Sequence, residues 1–456
     1  MIHLVTTLSK YLMILLIAIY TYYNFRFFAM KDEESRAGVF RMQNASMFLL
    51  HVLAYAVIYL RTEEERMVLF FSAQLLFFLL YRTLYRVLYR NRSRLLLNNA
   101  CMLLIIGFIM LTRISFDRAA RQFGLVAAAS FLTLLIPFIM DRVWQLAKIP
   151  WVYCTVGLLL LVVVCLVGNT SFGAQLSINI GGFAFQPSEF VKLSFVFFVA
   201  TMFYRSTEFK NVAVTTAAAA AHVLVLVLSK DLGSALIFFV TYLLMLFAAT
   251  SNWLYLGAGA GGGAAAAVLA YRLFSHVQVR VEAWQNPWKD IAGRGYQITQ
   301  ALFAIGTGGW FGMGLYEGMP TKIPVVEKDF IFAAISEEIG GITALCVLLI
   351  CLGCFLQMML IATKMQAAFY RLIAFGLGIE YIVQVFLTIG GVIKFIPSTG
   401  VTLPFVSYGG SSVFSTFLLF GVIQGLYILK RNEEEEANAA QETEQERAGG
   451  SQSKGQ

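Results

Sequence analysis

Thirteen apolar runs alternate with polar segments along this chain, near residues 9–25, 46–60, 67–83, 97–113, 122–140, 150–167, 187–204, 211–229, 232–249, 253–274, 331–360, 372–393 and 410–429. Runs approaching 20 apolar residues suit helices that cross a bilayer, although several here fall a little short of a full crossing. The pattern predicts an all-α polytopic membrane protein. The first run, Leu12 to Tyr23, has no small-residue cleavage site after it and reads as an anchor. Two polar stretches interrupt the alternation by their length, 168–186 and 275–330, and loops of that size are more often functional than connective. From Lys430 onward the chain is rich in Glu, Gln and Gly with almost no apolar residues, so 431–456 is expected to be a disordered cytoplasmic tail.

Composition narrows the class. The 456 residues are 59% hydrophobic and only 13% charged, which excludes an ordinary soluble enzyme. The net charge of +8 sits mostly in short loops, where it reports orientation rather than nucleic-acid binding. Arg82, Arg86, Arg90, Arg92 and Arg94 form a dense basic loop that belongs in the cytoplasm, as do Arg26, Lys31, Arg36 and Arg41. The acidic turn Thr62–Glu65 between them fits the outside, which places the N-terminus outside and the C-terminus inside. All six cysteines fall within apolar segments, so they read as small buried hydrophobes rather than disulfide partners or metal ligands.

One segment breaks the membrane pattern from within. Between two long apolar runs, residues 395–412 read Phe-Ile-Pro-Ser-Thr-Gly-Val-Thr-Leu-Pro-Phe-Val-Ser-Tyr-Gly-Gly-Ser-Ser. Non-helical backbone at membrane depth survives only where protein or a water-filled cavity satisfies its N–H and C=O groups, so this segment is expected to line something. Charges at the edges of spans are costly and usually mark a site. Glu189 and Lys192 share a helix face at i,i+3 spacing, where a simple ion pair is an equal reading. Asp231, in Lys230-Asp231-Leu232-Gly233, suits a helix N-cap at least as well as a functional role. Asp329 sits where the long outer segment re-enters the membrane, with Glu337 and Glu338 two turns deeper. A carboxylate there can have a raised pKa and serve as a base, while an N-cap of the eleventh span is the plainer reading. Glu380 is buried in the twelfth span and needs a partner on a neighbouring helix.

The outer segment also carries Arg280, Lys289, Arg294, Lys322 and Lys328, cations suited to a diphosphate head group just above the bilayer. Its glycines, in Gly293-Arg294-Gly295-Tyr296 and Gly306-Thr307-Gly308-Gly309, allow tight re-entrant backbone. No Gly-Lys-Ser/Thr follows them, so this is not a phosphate-binding loop of the Walker type.

Taken in order over about residues 97–430, these segments resemble the SEDS family of shape, elongation, division and sporulation proteins, the group that holds RodA, FtsW and SpoVE. The matching elements begin with Gly173-Ala174-Gln175, Gln186–Leu193, Asp231-Leu232-Gly233, and Asn286-Pro287 with Gly295-Tyr296-Gln297. They continue through Ala304-Ile305-Gly306, Asp329-Phe330-Ile331-Phe332-Ala333, Glu337-Glu338-Ile339-Gly340 and Pro397 to Ser412. The family core has ten spans. The resemblance therefore implies a ten-span SEDS-like core over 97–430, with the large extracellular segment 275–330, preceded by an extension of about three transmembrane helices over 1–96.

The resemblance further implies a peptidoglycan glycosyltransferase of the bacterial cytoplasmic membrane. Such an enzyme polymerises lipid II, an undecaprenyl-diphosphate-linked disaccharide-pentapeptide, on the outer face and works with a class B penicillin-binding protein. The family's essential acid matches Asp329, and its polar cavity residues match Glu189, Lys192 and Asp231. Gln186, Arg294, Tyr296 and Gln297, with Lys328, Ser407 and Tyr408, are the further substrate-binding candidates. On this reading Asp329 is the general base in a single displacement with inversion, and Lys192 and loop arginines stabilise the leaving diphosphate. A divalent cation, Mg or Mn, is left open. The chain departs from the family pattern at Leu176 and Ser177, where Arg-Trp is common, over Pro324–Asp329, and at Thr388, where Asn is common. A lipid II flippase and a non-catalytic scaffold for a penicillin-binding protein are the alternatives.

Overall fold

The computed structural model describes every residue except 1, 31, 141–147, 172–173, 181–182 and 453–456. Three N-terminal helices come first: α1 (Ile2–Ala29), α2 (Glu33–Thr62) and α3 (Glu65–Leu88). Then follow α4 (Arg94–Ile114), α5 (Phe116–Thr133), the single turn α6 (Ile136–Ile139) and α7 (Pro150–Val167). After a small sheet come α8 (Ser188–Arg205), α9 (Phe209–Leu228), α10 (Leu232–Thr250) and α11 (Trp253–Leu273). The chain ends with α12 (Ser275–Gln285), α13 (Tyr296–Gly308), α14 (Ile331–Glu338), α15 (Gly341–Lys364), α16 (Ala368–Val392) and α17 (Gly410–Gln452).

Among the described residues twelve helices are long and apolar enough to cross a membrane. Helix α8 is a thirteenth by length at 18 residues, but it carries Glu189, Lys192 and Arg205 within that length and so has no uninterrupted apolar stretch as long as a span. Segment 168–186 folds as an antiparallel three-stranded sheet, β1 (Asn169–Ser171), β2 (Ala174–Ile180) and β3 (Phe183–Phe185), in the order β1-β2-β3. Gly173, part of one matched element, lies outside the described residues.

Three expectations change. The span expected over 331–360 is two helices. Gly340 breaks it with φ +104°, and a Cβ there would lie 2.5 Å from both the Gly312 amide and the Trp310 carbonyl. Only glycine fits, because residues 310–312 run backbone to backbone across the break. The membrane helix is α15, and α14 packs with the layer formed by 275–330. Segment 275–330 is not an open loop either, since it contains α12 and α13. Finally, the tail expected to be disordered continues α17 as helix through Gln452. Glu, Gln and Ala are good helix formers, and Lys430 pairs with Glu434 at 2.9 Å one turn on.

The core surrounds α4, whose residues Leu95 through Thr112 are all buried. Helix α2 packs on α4, α3 on α5, and α1 on both α2 and α15, so the N-terminal helices cover the first helices of the bundle. Lipid gives no hydrophobic drive for helices to associate, so close packing and interhelical hydrogen bonds carry the seam. Tyr20 donates to Asn99 Oδ1 at 2.9 Å, Asn99 donates to Asn24 at 2.8 Å, and Asn98 donates to Gln43 at 3.0 Å. Higher up, Gln74 donates to the Tyr55 hydroxyl at 2.6 Å, and that hydroxyl meets Thr112 Oγ1 at 2.9 Å.

The ends of the helices sort by side. Lys10, Arg61 and Arg113 all touch the 312–338 segment, so the Thr62–Glu65 turn and the 275–330 layer share one face. Asn91, in the basic loop, donates to Asn432 and Glu435 at 3.0 Å and lies with the C-terminal tail on the other face.

The Asn99 seam gives a direct test. Asn99→Ala removes two buried bonds and strands Tyr20 and Asn24, and it should lower stability in detergent by about 1–2 kcal/mol. Asn91→Ala, on the exposed face, should leave chemical unfolding unchanged; equal curves for both variants would contradict the seam.

Candidate active site

The site is organised by the irregular segment between α16 and α17. Lys394, Gly400 and Phe405 take positive φ, so the chain doubles back instead of continuing as helix. Its polar backbone is satisfied from several helices. Thr388 Oγ1 donates to the Val401 carbonyl at 3.0 Å and Gln384 donates to the Thr402 carbonyl at 3.0 Å. Gln122, on α5, donates to the Ser407 carbonyl and accepts from the Gly409 amide, each at 3.2 Å. Thr388, the departure from the family's usual Asn, thus supports this segment directly.

The segment leading to Asp329 docks on the same support. The Tyr408 amide donates to the Glu327 carbonyl at 2.7 Å. The Ser407 hydroxyl donates to the Lys328 carbonyl at 2.5 Å and accepts from the Leu403 amide at 2.9 Å. Ser407 and Tyr408 together therefore fix the two residues before Asp329, and Arg118 holds Glu327 by an ion pair. Tyr296 and Gln297, at the start of α13, act one step earlier. Tyr296 donates to the Lys322 carbonyl at 3.5 Å, and Gln297 donates to the Pro324 carbonyl at 2.9 Å.

Asp329 is half-buried and does not cap a helix, since Phe330 is the N-cap residue of α14 and no side chain caps it. Its carboxylate lies beside Gly400, with Oδ2 3.6 Å from where a Cβ would stand and Arg280 Nη2 3.9 Å from the same point. Burial pushes its pKa up to about 6; Lys328 and Arg280 pull it down and Glu327 pushes it up, all less strongly. Arg280 reaches this place from α12, where Nη1 donates to the Thr399 carbonyl at 3.1 Å. Burial lowers the Arg280 pKa, and the negative charges of Asp329 and Asp231 oppose that shift.

Asp231 does cap α10. Its Oδ1 accepts from the Ser234 amide at 3.1 Å, and its Oδ2 accepts from the hydroxyls of Ser234 at 2.8 Å and Ser188 at 3.0 Å. Burial raises its pKa while these bonds hold it back. Capping and site membership coincide here, because Gly233 packs against Thr399 and Val401 of the central segment. Gln186 joins through Ser188, to which it donates at 3.2 Å, and through its amide, which donates to Ser411 at 3.0 Å.

One turn deeper lies a buried ion cluster. Lys192 Nζ sits 2.9 Å from Glu189, 3.6 Å from Glu380 and 2.6 Å from Gln384 Oε1. Ser415 of α17 donates to Glu189 at 2.9 Å. The neighbour that Glu380 required is therefore α8. Lys192, only 5% exposed, is engaged by three acceptors within the protein. Arg294 is exposed and pairs with Glu282 at 3.0 Å.

The structure thus gathers Asp329, Lys328, Asp231, Gln186, Ser407 and Tyr408 around one segment, with Glu189 and Lys192 beneath it. Tyr296 and Gln297 brace it, and Arg294 is tied to Glu282. Arg280, Arg118, Gln122 and Gln384 were not among the sequence-derived site residues. Arg280 was visible as one of five outer cations. Gln384 and Thr388 follow Glu380 at i+4 and i+8 on one face of an apolar helix, a polar stripe that signals a shared partner. Among the described residues no three His, Cys, Asp or Glu side chains are grouped to hold a metal ion.

Asp329 also makes stability depend on pH with a definite sign. Its folded pKa of about 6 exceeds the ordinary 3.8, so the folded chain binds more protons in that window and stability falls as pH rises through it. Thermal unfolding between pH 4 and 8 should show Asp329→Asn gaining on the wild type from about pH 4 to about pH 6 and holding its advantage above. A constant difference across the range would contradict the raised pKa.

A family model for FtsW/RodA/SpoVE cell cycle proteins matches residues 93–432. The peptidoglycan glycosyltransferase RodA of Mycobacterium bovis is 33% identical over 318 residues, which cover 66% of this chain and 67% of that protein. Stage V sporulation protein E of Bacillus subtilis is 33% identical over 324 residues, covering 68% of this chain and 86% of its own. The solved RodA of Thermus thermophilus superposes with a TM-score of 0.55 at 23% identity, over 74% of this chain and 96% of that one. A chain from a peptidoglycan synthase complex that coordinates polymerization and crosslinking gives a TM-score of 0.64 at 24% identity, over 75% and 98%. These two likenesses concern the fold, while the family match and the curated relatives rest on sequence. This chain belongs to the FtsW/RodA/SpoVE family, with three additional helices before the matched core.

Proposed function

We propose that this protein is a peptidoglycan glycosyltransferase that polymerises lipid II at the outer face of the bacterial cytoplasmic membrane. The observation that carries the reading is Asp329, a half-buried carboxylate with a pKa raised to about 6, set beside Arg280 on a supported turn. A base with that pKa is ionised near neutral pH yet basic enough to take a proton. Asp329 takes the proton from the 4-hydroxyl of the acceptor sugar as its oxygen attacks the donor's anomeric carbon. The new C–O bond forms, the bond to the diphosphate breaks, and the lipid diphosphate leaves with the electron pair. A single displacement inverts the anomeric centre and forms no covalent enzyme intermediate.

Negative charge grows on the departing diphosphate, and preorganised cations stabilise it best. Arg280 and Lys328 flank Asp329 in charge and position, whereas Lys192 is occupied within its own cluster. Lys192 is better read as the group that keeps Glu189 and Glu380 paired. A divalent cation, Mg or Mn, is proposed only as a counter-ion carried by the substrate's diphosphate, and no residue is assigned to hold it. The partner proposed is a class B penicillin-binding protein that crosslinks the strands, in keeping with the synthase complex that shares the fold. The face bearing 275–330 is outside, with the N-terminus, and the basic Arg82–Arg94 loop and C-terminal tail are cytoplasmic.

Transport of lipid II across the bilayer is less well supported. A transporter needs polar groups through the full depth, and Glu380 lies midway along α16. Toward the other end of α16, from Phe369 to Ile379, the buried residues include no charged group.

The test is polymerisation of labelled lipid II by the purified protein, with and without the crosslinking partner, for wild type and Asp329→Ala. The variant should be slower by about 10²–10⁴-fold. Because the base acts only when deprotonated, the wild-type rate should climb with pH through about 6 and level off above. Wild-type strand synthesis by a folded Asp329→Ala protein would remove Asp329 from the reaction.

A further inference from the structure

Two of the three helices that precede the family core, α1 and α2, reach the outer layer at specific points. Lys10 of α1 donates from Nζ to the Gly312 carbonyl at 2.9 Å, and the neighbouring Tyr11 ring lies 5.8 Å from Phe311. Arg61, at the end of α2, is ion-paired with Glu317 and donates to Thr6 of α1 at 3.0 Å. The contacts of Lys10, Tyr11 and Arg61 with this layer all fall on residues 311–317, a glycine-containing stretch with φ +69° at Gly312 and +117° at Gly314.

That stretch is the support of α14. The Met313 amide donates to the Glu337 carbonyl and the Gly314 amide to the Glu338 carbonyl, both at 2.8 Å. The Glu338 carboxylate accepts from the Tyr316 amide at 3.3 Å, and the Glu337 carboxylate accepts from the Met319 amide at 3.0 Å. Arg113 closes the arrangement, bonding Glu338 at 2.7 Å and the Gly318 carbonyl at 3.0 Å. Gly308 packs so tightly on α14 that a Cβ there would stand 2.1 Å from the Ser336 carbonyl. Helix α14 is eight buried residues, a short rod of about 12 Å. Its C-terminal end is gripped by 313–319, and its N-terminal end follows Asp329 directly.

We infer that α1 and α2 form a built-in positioning module for the reaction, in which Arg61 and Lys10 hold the 312–317 stretch and thereby set α14 and Asp329. The inference rests on Asp329 being the base. Neither Arg61 nor Lys10 is a catalytic residue, since each acts through the backbone of 312–317 and then through α14. The Arg61–Glu317 pair is partly exposed and too weak to govern global unfolding. Its effect is local: a displacement of about 1 Å at a catalytic group can cost up to about 10²-fold in rate.

The test uses the full chain in nanodiscs as wild type, Arg61→Glu, Glu317→Arg and the double swap, with thermal unfolding checking that each is folded. Two quantities are read: hydrogen exchange of the 331–338 amides, and kcat and KM for lipid II polymerisation. Each single variant should speed exchange in α14 by about tenfold and lower kcat by about tenfold, with KM within about twofold. The double swap should restore both, which a generally weakened protein would not do. Lys10→Ala should move exchange in the same direction. Exchange at the wild-type rate in both single variants would overturn the module, as would a double swap no better than the singles. If the wild type itself makes no strands, the polymerase reading falls, and the exchange data alone decide whether the module grips α14.

Discussion

Irregular backbone inside a membrane protein must find all its hydrogen-bond partners within the protein, and that constraint shapes this site. The chain leaves helical geometry after α16 and does not resume it until Gly410. Side chains from α5, α12 and α16 supply part of what the exposed groups require. The approach to Asp329 supplies the rest, because the carbonyls of Glu327 and Lys328 accept from Tyr408 and Ser407. Two irregular segments thus satisfy one another's backbone groups. Asp329 is placed as a consequence, and its raised pKa follows from the burial this docking produces.

The buried charges obey a related rule. A lone carboxylate in the bundle would be very costly, whereas a paired and hydrogen-bonded one persists. Lys192 binds Glu189 on its own helix and Glu380 on α16, and Gln384 and Ser415 fill further positions. This cluster locks α8, α16 and α17 together directly below the irregular segment. It gives the site a rigid floor, which suits chemistry that depends on position more than on binding strength.

Much of this was legible in the residues, and the rest was hidden for physical reasons. The spans follow from hydrophobic length, and the Glu189–Lys192 pair follows from i,i+3 spacing. Asp231 as a cap follows from its place before an apolar run. The partner of Glu380 was not readable, because which helices face each other is a tertiary fact. Gly340 stood inside an apolar stretch long enough for one helix, and only the backbone of Gly312 and Trp310 packed against it explains the break. Helix α12 was obscured by its weak apolar periodicity and α13 by the glycines that flank it, so Arg280 passed as one cation among five. Tyr296 and Gln297 were grouped with the substrate because their motif resembles the family's, yet their bonds run to the loop that leads toward Asp329.

The position of Asp329 depends on the docking of one irregular segment against another, and a single hydroxyl tests it. Ser407→Ala deletes the bond to the Lys328 carbonyl and the one from the Leu403 amide while leaving every charged group in place. The most direct measurement is kcat for lipid II polymerisation by this variant, alongside thermal unfolding to show that it is folded. The expected result is a fall of about tenfold or more in kcat with little change in KM, as the base loses its fixed position. A folded Ser407→Ala protein that turns over at the wild-type rate would contradict it.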